Sequence, residues 1–264
     1  MGNVTTWPNR GTWEELRNPD IYGAVSAAAG YPTLTIGIAM LPTVEQSSFA
    51  QCATGSYDRY FRDVGSSLVR LGRGEAIVRL GWEANGDWYA WSMGDDVDNY
   101  KACFRREAQA MRSTAPDLII DWNMNKESKM SSSVADAYPG DDVVDIVGVD
   151  FYDMYPGYSD QAAWDGDYMA TQNGGPRGLG TWLEFARSHG KKLSVPEWGL
   201  NTGTGGGTDS AFYIEAMHKF FVANSADIAY ETYFNLQSPG FMIYPAGINP
   251  DASATYQDLW CSAL

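Results

Sequence analysis

Arg79-Leu80-Gly81-Trp82-Glu83-Ala84-Asn85-Gly86-Asp87-Trp88-Tyr89-Ala90-Trp91 follows directly on the strand-like run Ala76-Ile77-Val78. A second run, Lys192-Leu193-Ser194-Val195, leads into Pro196-Glu197-Trp198-Gly199. Each apolar strand ends on one glutamate beside tryptophan. Breaking a glycosidic bond calls for such a pair of carboxyl groups, one as acid and one as nucleophile, with flat rings to hold the sugar.

Outward from these two stretches the chain alternates strand and helix. Residues 3–7 and 33–41 read as strands, the second stopped by Pro42. Thr12-Trp13-Glu14-Glu15 is a capping-box pattern that opens a helix. Tyr57, Tyr60, Phe61, Val64, Leu68 and Leu71 keep helical spacing, as do Tyr100, Cys103, Phe104, Ala108, Met111 and Ala115 in a helix begun near Asp98 and ended by Pro116. Strands follow at 118–123, 143–152, 193–195 and 228–234, and helices at 181–188, 209–222 and 253–260. No composition break marks a linker. The expectation is one catalytic domain over residues 1–264, an α/β (β/α)8 TIM barrel. In such barrels the catalytic face is built from the C-terminal ends of the strands. Trp7, Glu83, Trp122-Asn123, Asp150 to Tyr152, Glu197-Trp198 and Tyr233 to Asn235 all fall just there.

Composition narrows the function. The chain has 264 residues, a formal net charge of −15 and 14% aromatic residues, including 10 Trp and 16 Tyr. An acidic surface repels phosphate backbones and anionic membranes, so neither nucleic acid nor membrane is an expected partner. No apolar run reaches the ~20 residues that span a bilayer. Indole and phenol carry polar groups that need partners, and so many of them point to a ring-lined groove.

Each glutamate has a plainer reading as a solvated loop residue. Trp82, Trp88 and Trp91 around Glu83, and Pro196 and Trp198 around Glu197, weigh against it. Rings beside a carboxyl favour its protonated form by desolvation. Arg79, on a strand, needs an anionic partner inside a barrel, and Glu197 is a plausible one. A serine or cysteine hydrolase is disfavoured, because neither His189 nor His218 sits at a strand end. The glycine-rich stretch 203–207 lacks the lysine of a phosphate loop.

Trp82-Glu83-x-Asn85-Gly86-x-Trp88-x-x-Trp91, with Arg79 four residues before the glutamate, resembles the acid/base segment of glycoside hydrolase family 26. That family of β-mannanases and some β-glucanases and β-xylanases belongs to the large retaining clan A. The stretch from Glu197 to Gly199 resembles its nucleophile strand, and Gly148-Val149-Asp150-Phe151-Tyr152 the strand whose tyrosine contacts the nucleophile. The resemblance implies a retaining, endo-acting hydrolase of a β-linked polysaccharide, with Glu83 as acid/base and Glu197 as nucleophile. Candidate substrate-binding residues are Arg79, Trp82, Asn85, Trp88, Trp91, Trp122, Tyr152 and Trp198, four of them (Trp88, Trp91, Trp122, Trp198) as stacking rings. No cofactor or metal is expected, and the protein is expected to be a monomer. One departure bears on specificity: the family usually has histidine immediately before the acid/base, where this chain has Trp82. Alternative readings keep the fold for transglycosylation, for a microbial capsule or wall glycan, or for carbohydrate binding without catalysis.

Cys52, Cys103 and Cys261 fit no zinc spacing. They are either three buried free thiols or a Cys52–Cys103 disulfide with Cys261 left over. Both Cys52 and Cys103 lie near helices flanking the strand that delivers Glu83, which favours the disulfide and, with it, an extracellular location. No signal peptide is visible after Met1-Gly2. Counting strands puts Glu83 after the third and Glu197 after the sixth, where clan A resemblance implies the fourth and seventh. The first barrel strand is therefore expected to lie before Met1.

Overall fold

Strand and helix alternate through the computed structural model, which describes residues 2–236, 238, 240–245 and 247–261. In chain order these are β1 (Asn3–Thr6), α1 (Trp13–Arg17), β2 (Thr33–Ile38), α2 (Phe49–Ala53), α3 (Asp58–Arg70), β3 (Ile77–Leu80), α4 (Val97–Arg112), β4 (Ile119–Asn125) and β5 (Ile146–Asp153). There follow α5 (Gln161–Tyr168), the short pair β6 (Thr171–Gln172) and β7 (Gly175–Pro176), α6 (Leu179–Ser188), β8 (Lys192–Leu200), α7 (Ala211–Ala223), β9 (Ile228–Tyr233) and α8 (Pro250–Tyr256). The chain divides into two compact units, Met1–Gly148 with Gln172–Pro176, and Val149–Thr171 with Arg177–Leu264.

In the first unit the strands run β1-β2-β3-β4 and on to the start of β5. The pairs from β1 to β4 are parallel, and Arg79 stands opposite Asp121. Parallel strands are covered on both faces, so β2 and β3 are buried nearly throughout. Phe61, Val64 and Leu68 bury one side of α3, and Tyr100, Phe104 and Met111 one side of α4. Each such side chain removed from water stabilises by about 1.5–3 kcal/mol. The Thr12–Glu15 capping box forms as expected: Glu15 N donates to Thr12 Oγ1 at 3.3 Å and Thr12 N to Glu15 Oε2 at 3.1 Å.

Cys52 on α2 and Cys103 on α4 form a disulfide, and Cys261 is an exposed free thiol. Glu107, one turn along α4, is buried with Oε1 3.2 Å from Cys52 Sγ and 3.3 Å from Cys103 Sγ. Burial, and secondarily the negative charge of Asp58, push its carboxyl well above the usual range. These three residues have metal-ligand spacing, but the disulfide consumes both thiols.

In the second unit β5, β8 and β9 are neighbours in that order. Ser210 caps α7, its Oγ accepting from Tyr213 N at 3.0 Å. Three expectations need correction here. The strand into Glu197 continues past Pro196 to Leu200, because register shifts between β8 and β9 at Val195/Trp198 leave a bulge where a proline lacking its N–H is tolerated. The strand expected over 33–41 ends at Ile38. The closing helix starts earlier, with Pro250 at its first turn, and passes at Gln257–Cys261 into a wider π turn. A strand before Met1 lies outside the described residues. No helix among the described residues is long and apolar enough to cross a membrane.

Candidate active site

In the first unit the chain leaves β3 through Gly81 and Trp82 and reaches Glu83 at φ 53°. That left-handed backbone costs a residue with a Cβ roughly 1–2 kcal/mol. Two main-chain bonds hold it: Glu83 N donates to Asn123 O at 2.9 Å, and Gly86 N donates to Glu83 O at 2.9 Å. The carboxyl is buried, and each oxygen accepts a hydrogen bond. Asn125 Nδ2 donates to Oε1 at 2.5 Å and Trp88 Nε1 to Oε2 at 2.9 Å. Trp88 therefore meets Glu83 as a donor, and is more than the apolar wall that the sequence suggested.

Trp88 stays 45% exposed and lies flat on Gly86, where a Cβ would sit 2.5 Å from the ring. Only glycine admits the indole there. The other rings of this stretch turn inward. Trp82 is buried, its Nε1 donating to Tyr89 Oη at 3.0 Å. Trp91 is buried against Tyr89, with parallel rings 4.3 Å apart, and its Nε1 donates to Trp82 O at 2.8 Å. Gly37 on β2 makes room for Trp82 and Trp7, whose rings would lie 3.1 and 2.8 Å from a Cβ.

β4 shows period-two alternation. Ile120, Trp122 and Met124 share one face; Asp121, Asn123 and Asn125 share the other. Trp122 Nε1 donates to Tyr100 Oη of α4 at 3.1 Å, so this ring packs in the helix-facing core. On the other face Asn123 Oδ1 accepts from Arg79 Nε at 3.1 Å and Nη2 at 2.6 Å. Asn85, expected to bind substrate, is buried and spends its amide on the backbone of Asn125. Its Nδ2 donates to Asn125 O at 2.8 Å and its Oδ1 accepts from Asn125 N at 2.9 Å.

In the second unit Glu197 lies inside β8, buried, and its Oε2 accepts from Tyr152 Oη at 2.8 Å. Tyr152, on β5, is held edge-on by Phe234 and Phe241, with ring centroids 5.8 and 5.6 Å away. Trp198, the next residue, turns its ring toward α7, 5.6 Å from Phe221. It is buried against Phe221, Tyr233 and Trp260, and its Nε1 donates to Glu231 Oε2 at 2.6 Å. Burial raises the Glu231 carboxyl, while the Trp198 and Trp260 indole donors partly offset the shift.

Burial thus corrects the expectation of four stacking rings. Trp91, Trp122 and Trp198 are wholly buried and have no ring face left for a sugar, whereas Trp88 keeps one. Trp82 is excluded from sugar contact on the same ground. Asn125 was not singled out in the sequence, although the alternation Asp121-x-Asn123-x-Asn125 carries the signal. Exposed Tyr244 in the second unit was likewise not singled out.

Residues 58–175 match the family model described as Glycosyl hydrolase family 26, and over that segment the chain is family 26-like. Endoglucanase H of Acetivibrio thermocellus is 30% identical over 105 residues, which are 37% of this chain and 12% of that protein. The chain thus spans a small part of that curated relative. The catalytic domain of an endo-β-1,4-mannanase from Bacillus sp. JAMB-750 has a similar structure, with TM-score 0.63 and 17% identity over 92% of this chain and 69% of that one. An endo-β-1,4-mannanase double mutant from Cellulomonas fimi gives TM-score 0.59 at 17% identity, over 93% of this chain and 56% of that one. At such identity the likeness shows the fold, which is the (β/α)8-barrel class, here with seven strands in the main sheet among the described residues.

Proposed function

We propose that the protein is a retaining glycoside hydrolase of a β-linked polysaccharide, a β-mannan or related β-glycan, with Glu83 as general acid/base and Glu197 as nucleophile. The observation that carries this reading is the pair of buried glutamates, Glu83 just past β3 and Glu197 within β8, each fixed by side-chain donors: Tyr152 on Glu197, and Trp88 with Asn125 on Glu83. Such anchoring orients a carboxyl group, and orientation is what a double displacement needs from both. Glu197 attacks the anomeric carbon while Glu83 protonates the departing oxygen. Glu83 then takes a proton from water, which opens the glycosyl-enzyme ester.

Tyr152 holds the Glu197 carboxylate in its attacking pose, and Trp88 offers a ring to a sugar beside Glu83. The whole chain is read as one catalytic domain, secreted, in keeping with its disulfide. Polysaccharide choice leans on the relatives, whose names include both an endoglucanase and endo-β-1,4-mannanases. Trp82, buried where the family usually has histidine, offers no sugar contact toward mannan.

Purified protein incubated with β-mannan, β-glucan, β-xylan and microbial capsule or wall glycans, scored by reducing ends, tests the activity. On the substrate found, E197A should abolish turnover. E83A with azide should release a β-glycosyl azide, and a 2-fluoroglycoside should label Glu197. An α-configured first product, a label elsewhere, or full activity of E197A refutes the assignment. Binding without hydrolysis on every glycan leaves the non-catalytic reading standing instead.

A further inference from the structure

Asn125 closes β4 with its side chain on the face shared by Asp121 and Asn123. Its Nδ2 donates to Glu83 Oε1 at 2.5 Å. The other end of the amide settles which atom is nitrogen, since Oδ1 accepts from Glu127 N at 2.8 Å. The backbone of Asn125 is in turn gripped on both sides by the Asn85 amide, at 2.8 and 2.9 Å. Two residues earlier, Asn123 O holds the Glu83 main chain at 2.9 Å. The end of β4 thus fixes Glu83 twice, once at its backbone and once at its carboxyl group.

We propose that Asn125 is the positioning residue for the acid/base reaction of Glu83. It pins Oε1 in the interior, while Oε2, which accepts from Trp88 Nε1 at 2.9 Å, carries and delivers the proton. This rests on the reading of Glu83 as acid/base. In the glycosylation step the Oε2 proton moves to the glycosidic oxygen as the bond from that oxygen to the anomeric carbon breaks. The electron pair of that bond stays on the departing oxygen, and a Glu197 oxygen forms the new bond to carbon. Glu83 becomes charged in the process, and a donor to a charged oxygen binds more strongly than to a neutral one. The Asn125 hydrogen bond therefore tightens as the proton leaves, and so favours the transition state over the ground state.

Asparagine suits the position because one amide end must accept from Glu127 N while the other donates to Glu83. Aspartate would keep the first contact and set a like charge against Oε1. Glutamine, one methylene longer, would crowd a contact already at 2.5 Å.

The test uses N125A, N125D and E83A in the full chain. Aryl β-glycosides of the sugar the polysaccharide panel selects are compared, with dinitrophenyl and unsubstituted phenyl leaving groups. A dinitrophenolate departs without a proton, so kcat/KM on that glycoside bypasses the acid. Loss of one hydrogen bond to a charged group predicts a fall of about 10–150-fold for N125A on the phenyl glycoside. On the dinitrophenyl glycoside less than about a twofold change is expected. In the E83A background, N125A should cause no further loss. N125D, which keeps the Glu127 contact, should reproduce the leaving-group dependence if N125A folds poorly.

Equal losses on both glycosides, an additive double variant, or an unchanged rate on the phenyl glycoside each overturn the proposal. If E83A itself loses equally on both glycosides, the assignment of Glu83 fails instead, and the two failures are told apart.

Discussion

Glu107→Gln should make stability less sensitive to rising pH above about pH 4.5 than it is in the wild-type protein. The Glu107 carboxyl is buried beside the disulfide and its proton is held well above the usual carboxylate range, first by desolvation and then by Asp58. In the unfolded chain it ionises near pH 4.3. Between that pH and the raised folded value, the native state keeps a proton that the unfolded state has lost. Stability is therefore fully present below the unfolded value and declines by about 1.36 kcal/mol per pH unit until the folded group ionises. At about 2.1 cal/mol/K of unfolding entropy per residue, 264 residues give about 0.55 kcal/mol/K, so the contribution amounts to about 2.5 °C in Tm per pH unit. Thermal unfolding of wild type and E107Q, in matched buffers from pH 4 to pH 8, reads the difference in slope. The glutamine amide adds a pH-independent cost, since its nitrogen needs partners in a site built around sulfur. Only the slope is diagnostic, and parallel Tm curves for the two proteins would refute the argument.

Removing the disulfide with C52A/C103A opens a loop of sequence separation 51, worth about 4 kcal/mol in the chain-entropy model and about 7 °C in Tm; a thiol count of three in denatured, unreduced protein would contradict the crosslink. Trp88→Ala should lower kcat/KM about 10–150-fold by deleting a hydrogen bond to a charged oxygen, with Tm nearly unchanged because the ring is half-exposed. Trp198→Ala should behave in the opposite sense, costing about 3–5 kcal/mol of stability in denaturant titration, as deletion of a wholly buried ring does. Tyr152→Phe should slow turnover about 10–150-fold at unchanged fold, read as kcat/KM beside a circular dichroism melt, and full activity would show that its bond to Glu197 is idle.

The strand-helix alternation and the two tryptophan-flanked glutamates were legible in short-range pattern: apolar runs, capping residues, and residue types gathered where strands stop. The Tyr152–Glu197 contact came from the family resemblance, and the disulfide from the placement of Cys52 and Cys103 near helices flanking one strand. The failures share a cause too. Trp91, Trp122 and Trp198 look alike in one dimension to Trp88, and β8 looks finished at Pro196. Which ring meets solvent depends on the face a strand turns to its helix, and a bulge that shelters a proline depends on the neighbouring strand.

By itself, then, the amino-acid order determined the class of fold and the candidate residues for the chemistry, because periodicity and side-chain type are local properties. Tertiary structure decided the partners of Glu83, Asn85 and Trp88. Trp88 became a donor to Glu83 because Gly86 lets the ring lie flat, and Asn85 became a clamp because the end of β4 lies beside it. Asn125 reached the Glu83 carboxyl across 42 residues of chain. Hydrogen bonds between residues that far apart are set by strand register, which no local pattern encodes.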